Sequence, residues 1–169
     1  MPGVVSEVPP APDNWWWREG AERRGPAVVF DMDGVLSDAA SRQHFLEEPR
    51  RDWEAFFDAV GDDAVVEEVA RLLELLDPGL VVVLLTGRPA RVQPQTQAWL
   101  HRYGLRWDLL VMRDFGDYAA AREFKRRAVD RLRAAGLDPR LAFEDDRRNV
   151  AMFHAAGVPC VYIHSGYYD

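Results

Sequence analysis

Short apolar runs alternate with amphipathic stretches along the chain from residue 27 onward. The runs show little alternation of apolar and polar positions, which is typical of strands buried on both faces of a sheet. They predict strands at residues 27–30, 80–85, 108–112, 141–144 and 159–164. Apolar residues at helical spacing predict helices at about 51–60, 64–76, 93–103, 118–135 and 147–156. This alternation predicts an α/β domain with a parallel sheet that helices cover on both faces.

Residues 38–78 contain no strand-like run, so we expect helices only in this stretch. Asp62 is expected to cap the helix at 64–76, because an Asp side chain accepts hydrogen bonds from the free N–H groups of a helix start. The sequence Asp77-Pro78-Gly79 is expected to end the same helix.

Residues 1–26 are rich in proline and charge and show no clear period, so they predict an irregular N-terminal arm in front of one domain at 27–169. The run Trp15-Trp16-Trp17 is unusual, because three adjacent indole rings are too costly to leave wholly in water. We interpret it as a clamp that fixes the arm to the domain. A contact in a homodimer and a platform for base stacking are the alternatives.

Composition limits the class of protein. The chain has 169 residues, of which 48% are hydrophobic, enough for one domain with a real core. The net charge of -7 argues against passive attraction to nucleic acid, although it leaves room for a local basic groove. Cys160 is the single cysteine, which excludes an internal disulfide and fits a reducing cytosol. No apolar run reaches the roughly 18 residues of a membrane span, and we expect a cytoplasmic protein.

Asp31 and Asp33 carry the clearest chemical signal. They follow the strand at 27–30, at the strand end where open α/β sheets bind their ligands. Two ionised carboxylates this close repel each other unless a cation or a shared proton holds them, so a metal, an acid/base role or both are indicated. A calcium loop is excluded because Val35 and Leu36 stand where oxygen ligands and a glycine belong. A plain turn is the remaining alternative for this segment taken alone.

Three later segments add candidate groups. Thr86-Gly87-Arg88 follows the strand at 80–85, and its hydroxyl, N–H groups and guanidinium can together bind an oxyanion. Lys125 lies in the predicted helix at 118–135, where a solvated surface charge is the simpler interpretation. Glu144-Asp145-Asp146 ends another apolar strand with acids.

In this order, the Asp-x-Asp-Gly, Thr-Gly-Arg, Lys and Glu-Asp segments resemble the four motifs of the haloacid dehalogenase (HAD) superfamily of phosphotransferases. The resemblance implies a HAD-like Rossmannoid three-layer sandwich with strand order 5-4-1-2-3. The segments Val111–Asp117, Ala142–Asp145 and Gly157–Gly166 also look like the 3′-phosphatase domain of phage-type polynucleotide kinase/phosphatases. Ala119 and Ala121 depart from that pattern, which has an Arg and an Asp at these positions. This departure counts against a polynucleotide substrate more than against the phosphatase chemistry.

The resemblance implies a division of labour between the acids. Asp31 would attack phosphorus and form an aspartyl-phosphate, and Asp33 would protonate the leaving group and then activate water. Mg²⁺ would be held by Asp31, by Asp33 through its backbone carbonyl and by Asp145.

The resemblance also implies a phosphate site. Thr86 and the N–H of Gly87 would hold phosphoryl oxygens, and Lys125 would offset their charge. Arg88 and Arg113 are candidate substrate contacts.

We therefore expect a Mg²⁺-dependent phosphomonoesterase that acts on nucleotide or polynucleotide 3′-phosphate ends. The stretch between Asp33 and Thr86 is too short for a full cap domain, so about 38–62 is expected to form at most a small helical lid. A phosphatase of mononucleotides or other small metabolites is the first alternative. A non-hydrolytic phospho-receiver is the second, although its phospho-acceptor normally ends the third strand, where this chain has Val-Met-Arg. A catalytically inactive binding module is the third.

Overall fold

The computed structural model of this chain describes residues 10–168. Its strands are β1 (Trp15–Trp17), β2 (Gly25–Phe30), β3 (Ser37–Asp38), β4 (Ala64–Val65), β5 (Val81–Pro89), β6 (Leu109–Arg113), β7 (Leu137–Glu144) and β8 (Cys160–Tyr162). Its α-helices are α1 (Trp53–Asp58), α2 (Glu67–Leu75), α3 (Gln93–Arg102), α4 (Ala121–Ala134) and α5 (Arg147–Ala155). Short 3₁₀ helices span Ala40–Leu46, Val60–Asp62 and Ala90–Val92. None of the helices within these residues is long and apolar enough to cross a membrane.

The central sheet has the order β1-β6-β5-β2-β7-β8. The five strands from β6 to β8 in this order are parallel to their neighbours and are the five that the apolar runs predict, so the predicted order 5-4-1-2-3 is confirmed. Phe30 of β2 pairs with Leu84 on one side and with Phe143 on the other. The carboxyl ends of the three central strands therefore meet at one edge of the sheet.

Each face of the sheet carries its own hydrophobic core. Alternate residues of β2 point to opposite faces, with Val29 in one core and Val28 and Phe30 in the other. Helices α4 and α5 cover the first face, and α2 and α3 cover the second. This confirms the predicted three-layer sandwich.

The N-terminal segment is more regular than an irregular arm. Trp15–Trp17 forms β1, which pairs antiparallel with β6 and extends the sheet by one edge strand. Trp15 is buried in the core, and the amide of Asn14 donates to the carbonyl of Met112 at 2.8 Å. The indole rings thus pack on the sheet edge, as the clamp interpretation expects. Residues 1–9 of the predicted arm lie outside the described residues.

Two expectations for residues 38–78 are wrong. Ser37–Asp38 and Ala64–Val65 pair as a small antiparallel ladder, which is too short to leave a periodic pattern in the sequence. Helix α2 begins only at Glu67, with Val66 at its N-cap position, so Asp62 does not cap it. Asp62 lies in a 3₁₀ helix instead.

Candidate active site

Three acidic side chains lie together at the carboxyl ends of β2 and β7. Asp31 directly follows β2, Glu144 ends β7, and Asp145 comes next. Oxygen atoms of the three carboxylates lie within 4.8 Å of one another, and all three residues are buried. We call Asp31, Glu144 and Asp145 the acidic cluster.

Gly34 allows the chain to pass close over this cluster. Its φ is +83°, in the left-handed region that favours glycine. A Cβ at this position would also collide with Oδ2 of Asp145. The glycine of the Asp-x-Asp-Gly motif therefore serves both the turn and the close approach.

Lys125 of α4 neutralises part of the cluster. Its ammonium group lies 3.0 Å from Oδ1 of Asp31 and donates to Oε2 of Glu144 at 2.8 Å. Only 2% of the residue is exposed, so the interpretation as a solvated surface charge is wrong. Burial by itself would lower the pKa of Lys125, but the charges of Asp31 and Glu144 outweigh it and raise this pKa. The lysine therefore stays charged.

The three carboxylates differ in their affinity for protons. Burial raises the pKa of Asp31 well above its ordinary value, and the charge of Glu144 raises it further. Burial likewise raises the pKa of Asp145 to about 6. Burial also acts on Glu144, but the charge of Lys125 outweighs it, so the pKa of Glu144 is lowered. The ammonium group of Lys125 thus stabilises the ionised form of Glu144, whereas Asp31 and Asp145 lack enough positive charge nearby.

The acidic cluster fits a divalent cation. Oδ1 of Asp145 is buried and has no hydrogen-bond partner within residues 10–168, whereas Oδ2 accepts from the hydroxyl of Ser165 at 2.7 Å. A buried oxygen without a donor and several carboxylates without compensating charge are the oxygen ligands that Mg²⁺ takes. Asp31 and Asp145 lie where the sequence analysis expects metal ligands, and Glu144 joins them.

Asp33 lies in a different environment. Its Oδ1 accepts hydrogen bonds from Nη2 of Arg42 at 2.7 Å, Nη2 of Arg88 at 2.7 Å and Nε of Arg88 at 3.1 Å. Burial tends to raise the pKa of Asp33, but the two guanidinium groups outweigh it and lower this pKa. The side chain of Asp33 therefore does not join the acidic cluster, and a metal contact through its backbone carbonyl stays a prediction.

Arg88 is not placed to meet a substrate. Its side chain is fully buried and donates to Asp33 and to the hydroxyls of Thr96 and Ser37 at 3.1 Å each. The expectation of a substrate contact is corrected for this residue, because its guanidinium is already occupied inside the protein. Its role in the structure is to hold Asp33.

Arg42 and Asp63 complete a buried ion network that the sequence analysis missed. Nε and Nη2 of Arg42 each donate to Asp63 at 2.7 Å, and Nη1 donates to the carbonyl of Phe56 at 3.0 Å. Ser37 also donates to Asp63, and Arg88 lies 3.4 Å from it. Two arginines thus face two aspartates. No local pattern sets Arg42 or Asp63 apart from the other charged residues of the chain, so a single sequence gives no signal for them.

The remaining predicted residues surround the end of β5. Thr86 is buried, and its Oγ1 accepts from the backbone N–H of Arg88 at 3.1 Å. Nη2 of Arg113 lies 3.8 Å from the point where a Cβ on Gly87 would stand. Arg113 donates to the carbonyls of Ala119 and Asp117 and forms no ion pair with a carboxylate among the described residues. The roles of Thr86, Gly87 and Lys125 toward a phosphate stay predictions.

The expected lid segment is present as short helices. Residues 38–62 hold α1 and two 3₁₀ helices, and they contribute Arg42 to the site. Whether this segment closes over a substrate stays a prediction.

Comparison with known proteins places this geometry in context. The sequence profile of one family, described as the polynucleotide kinase PNKP phosphatase domain, matches residues 25–168. The structure of the Pnkp1/Rnl/Hen1 RNA repair complex contains a chain with 24% identity and a TM-score of 0.72, aligned over 89% of this chain and 46% of that one. A class C acid phosphatase from Bacillus anthracis, with tungstate bound, has 17% identity and a TM-score of 0.57 over 88% and 70% of the two chains.

A HAD-superfamily hydrolase of subfamily IA from Geobacter sulfurreducens has 17% identity and a TM-score of 0.53 over 85% of this chain and 88% of its own. These structures share the fold with this chain. This chain spans about half (46%) of the length of its relative in the RNA repair complex. The search of curated proteins finds no sequence that matches it.

The arginine–aspartate network generates a prediction about stability. Asp63→Asn should lower the free energy of unfolding at pH 7 by about 3 kcal/mol, because it leaves two buried guanidinium groups to share Asp33. Urea denaturation followed by circular dichroism measures the difference. Asp62→Asn is the matched control, since Asp62 is exposed and adjacent. Equal stability of the two variants would contradict the importance of the network.

Proposed function

This chain belongs to the family of polynucleotide kinase PNKP phosphatase domains, and from that premise we propose that it is a Mg²⁺-dependent enzyme that removes 3′-phosphates from nucleotide or polynucleotide ends through an aspartyl-phosphate. Its family and its HAD-type structural neighbours make it a phosphoric monoester hydrolase. The metal, the intermediate and the substrate are the proposed part. One observation supports them most directly: Asp31 lies in the acidic cluster beside Lys125, while Asp33 is held outside that cluster by two arginines.

Asp31 is the proposed nucleophile. One of its carboxylate oxygens forms a bond to phosphorus, and the bond from phosphorus to the leaving oxygen breaks. Lys125 lies 3.0 Å from Oδ1 of Asp31, so its charge orients the carboxylate and offsets the approach of a second anion. Water then attacks the aspartyl-phosphate, which releases inorganic phosphate and restores Asp31.

Asp33 is the proposed acid and base. All three hydrogen bonds from Arg42 and Arg88 reach its Oδ1, so its Oδ2 is left to carry a proton. The lowered pKa of Asp33 suits the second step, in which an ionised carboxylate takes a proton from water. In the first step Asp33 must give a proton to the leaving oxygen. A phosphate anion bound nearby favours this, because a like charge raises the pKa of a carboxyl group.

Asp31 and Asp145 would hold Mg²⁺, with Glu144 beside them in the acidic cluster. Bound Mg²⁺ would neutralise charge between the Asp31 carboxylate and the phosphate oxygens, so that two anions can meet. The hydroxyl of Ser165 donates to Oδ2 of Asp145 at 2.7 Å, which leaves the unpartnered Oδ1 available to a cation. Thr86 and the N–H of Gly87 are the proposed contacts for phosphoryl oxygens.

A mononucleotide or another small phosphomonoester is the second candidate substrate. The net charge of -7 and the alanines at 119 and 121 favour it over a substrate gripped along its backbone. Arg113, which forms no ion pair with a carboxylate within residues 10–168, is the proposed substrate contact for either class.

The proposed nucleophile can be tested by substitution. Asp31→Asn should fold normally and lower turnover of phosphomonoesters by at least about 10³-fold, because a neutral amide cannot attack phosphorus. Phosphate release under saturating substrate measures the loss, and circular dichroism checks the fold. Asp130→Asn serves as control, because it makes the same change at an exposed aspartate of α4 outside the acidic cluster. Folded Asp31→Asn protein with activity near that of the wild type would refute the mechanism.

The proposed metal site predicts competition between Mg²⁺ and protons. Burial raises the pKa of Asp145 to about 6, and it also raises the pKa of Asp31, so both groups bind protons more tightly than ordinary carboxyl groups do. Mg²⁺ binds the ionised form, so its affinity should fall as the pH drops below about 6, roughly tenfold per pH unit for each proton displaced. Calorimetric titration of substrate-free protein measures this. Asp145→Asn should abolish the binding, and Asp138→Asn should not. An affinity that is the same at pH 5 and pH 8 would contradict the site.

The substrate class can be decided by kinetics. We expect a 3′-phosphorylated oligonucleotide to be hydrolysed with a higher kcat/KM than a nucleoside 3′-monophosphate. An enzyme that binds several phosphates of the strand should also lose this preference as the salt concentration rises, because phosphate contacts weaken with ionic strength. The comparison is made at two salt concentrations, with a 5′-phosphorylated oligonucleotide as control. If the mononucleotide is preferred at both, the polynucleotide substrate is wrong and the phosphatase activity stands.

A further inference from the structure

A groove of about 550 Å³ lies beside the candidate active site. One wall is formed by Trp53 and Phe57 of α1, and the other by residues 113–118 between β6 and α4. The lining also includes Gly87 and Pro89 of β5 and Ala90 of the 3₁₀ helix that follows it. We call this the aromatic groove.

The rings that line the aromatic groove are exposed to an unusual degree. Phe115 is 94% exposed, Tyr118 is 92% exposed and Trp53 is 49% exposed. Trp53 stacks against Phe57 with ring centres 5.9 Å apart and an angle of 26° between the planes, which supports its ring on the wall. Large apolar side chains that a fold leaves in water at one place mark a binding surface more often than a packing defect.

The loop that carries Phe115 and Tyr118 is held in place by polar contacts. Asp117 accepts hydrogen bonds from the backbone N–H of Ala119 at 3.0 Å and from Arg127 at 2.9 Å. Arg113 donates to the carbonyls of Ala119 and Asp117. These contacts fix the backbone of the loop, while the rings of Phe115 and Tyr118 face solvent. This arrangement suits the binding of a ligand.

The aromatic groove is continuous with the proposed phosphate site. Gly87, a proposed phosphate contact, is one of the lining residues of the groove and directly precedes Arg88, which holds Asp33. Arg113 borders the groove, with its Nη2 near Gly87. A leaving group attached to a phosphate at Thr86 and Gly87 would therefore have the groove as its neighbour.

The lining specifies the chemistry of the occupant. Apart from charged residues and glycines, it consists of Trp, Phe, Tyr, Pro and Ala, with no Leu, Ile, Val or Met. Aliphatic side chains would be expected in a groove for an amphipathic helix. Exposed aromatic faces suit a flat ring system, because every nucleobase has a π-face that can stack on them.

We propose that the aromatic groove is a stacking subsite for the nucleobase of the terminal, phosphorylated nucleoside, an inference that rests on the phosphatase function proposed above. Phe115 and Tyr118 supply the stacking faces, and Trp53 closes the opposite wall. The subsite binds the terminal nucleoside of either substrate class by stacking, which does not require a basic surface and is therefore compatible with a net charge of -7. Stacking of this kind tolerates any base sequence.

The kinetic test compares a substrate with a base and one without. Phe115→Ala and Tyr118→Ala should each raise KM for nucleoside 3′-monophosphates by roughly fivefold or more, as expected for the loss of one base–aromatic contact. Their kcat should stay within about twofold, since the reacting groups are unchanged. Hydrolysis of glycerol 2-phosphate, which has no base, should not change. Phe115→Tyr should keep the KM of the wild type, because it retains an aromatic ring. Leu75→Ala is the control, since it changes an exposed apolar residue of α2 outside the groove.

Loss of activity on both substrates in equal measure would overturn the subsite, because the rings would then act through the fold. Unchanged KM for nucleotides in the Phe115→Ala/Tyr118→Ala double variant would overturn it as well. Light scattering measures the oligomeric state as a third test. If the wild type is a dimer and the double variant is a monomer, the groove is an interface between copies of the chain. That result would overturn the proposal.

A binding measurement separates this inference from the proposed function. Adenosine has no phosphate, and its stacking should quench the fluorescence of Trp53. The quenching should be lost in the Phe115→Ala/Tyr118→Ala double variant and in Trp53→Phe. If the wild type hydrolyses no phosphomonoester, the proposed function fails, yet quenching with these properties still supports a nucleobase site. If it hydrolyses nucleotides but adenosine causes no quenching, the subsite fails and the phosphatase stands.

Discussion

The contact of Lys125 with Asp31 and Glu144 is the interaction on which the site depends. Pairing of β2 with β7 brings the ends of both strands, and hence three carboxylates, into one buried space. Helix α4 supplies the single ammonium group that this space contains among the described residues. Buried charges of this kind add little to stability, because their desolvation offsets their attraction. Their presence at a ligand-binding edge of the sheet is therefore better explained by chemistry, and the buried Oδ1 of Asp145, which has no hydrogen-bond partner among the described residues, fits the proposed cation.

A second ion network keeps the two aspartates of the Asp-x-Asp-Gly motif electrostatically apart. Asp31 faces like charges and its pKa is raised, whereas Asp33 faces Arg42 and Arg88 and its pKa is lowered. Two carboxyls only two residues apart in sequence thus differ in proton affinity because they point into different surroundings. Pairs of titratable groups whose environments drive their pKa values apart are typical of a division between catalytic roles. The loop after β2 makes this separation possible, because Gly34 allows it to turn directly after Asp33.

The sequence predicts those parts of the molecule that follow from local pattern. The apolar runs identify the five parallel strands, and the acids and Thr86 at their ends indicate where the site lies. Lys125 is identified by resemblance alone, because its position on α4 looks like any other charge until the helix packs on the sheet. Arg42 and Asp63 could not be found, since their pairing joins residues 21 apart in a stretch without periodic pattern. Strands β1, β3 and β4 were missed because two or three residues are too few for a period of two to be recognised.

The segment at 38–63 links the two halves of the proposed mechanism. Arg42, near one end of this segment, donates to Asp33, and Asp63, at the other end, holds the guanidinium of Arg42. Helix α1, between them, lines the aromatic groove. The carbonyl of Phe56 on α1 accepts a hydrogen bond from the same Arg42. Arg42 therefore connects the group proposed to protonate the leaving oxygen with the helix that lines the proposed nucleoside site. From its size we expect that this segment does not enclose a substrate as a full cap domain does. It can instead align the leaving group with its proton donor, which is the contribution that orientation makes to catalysis.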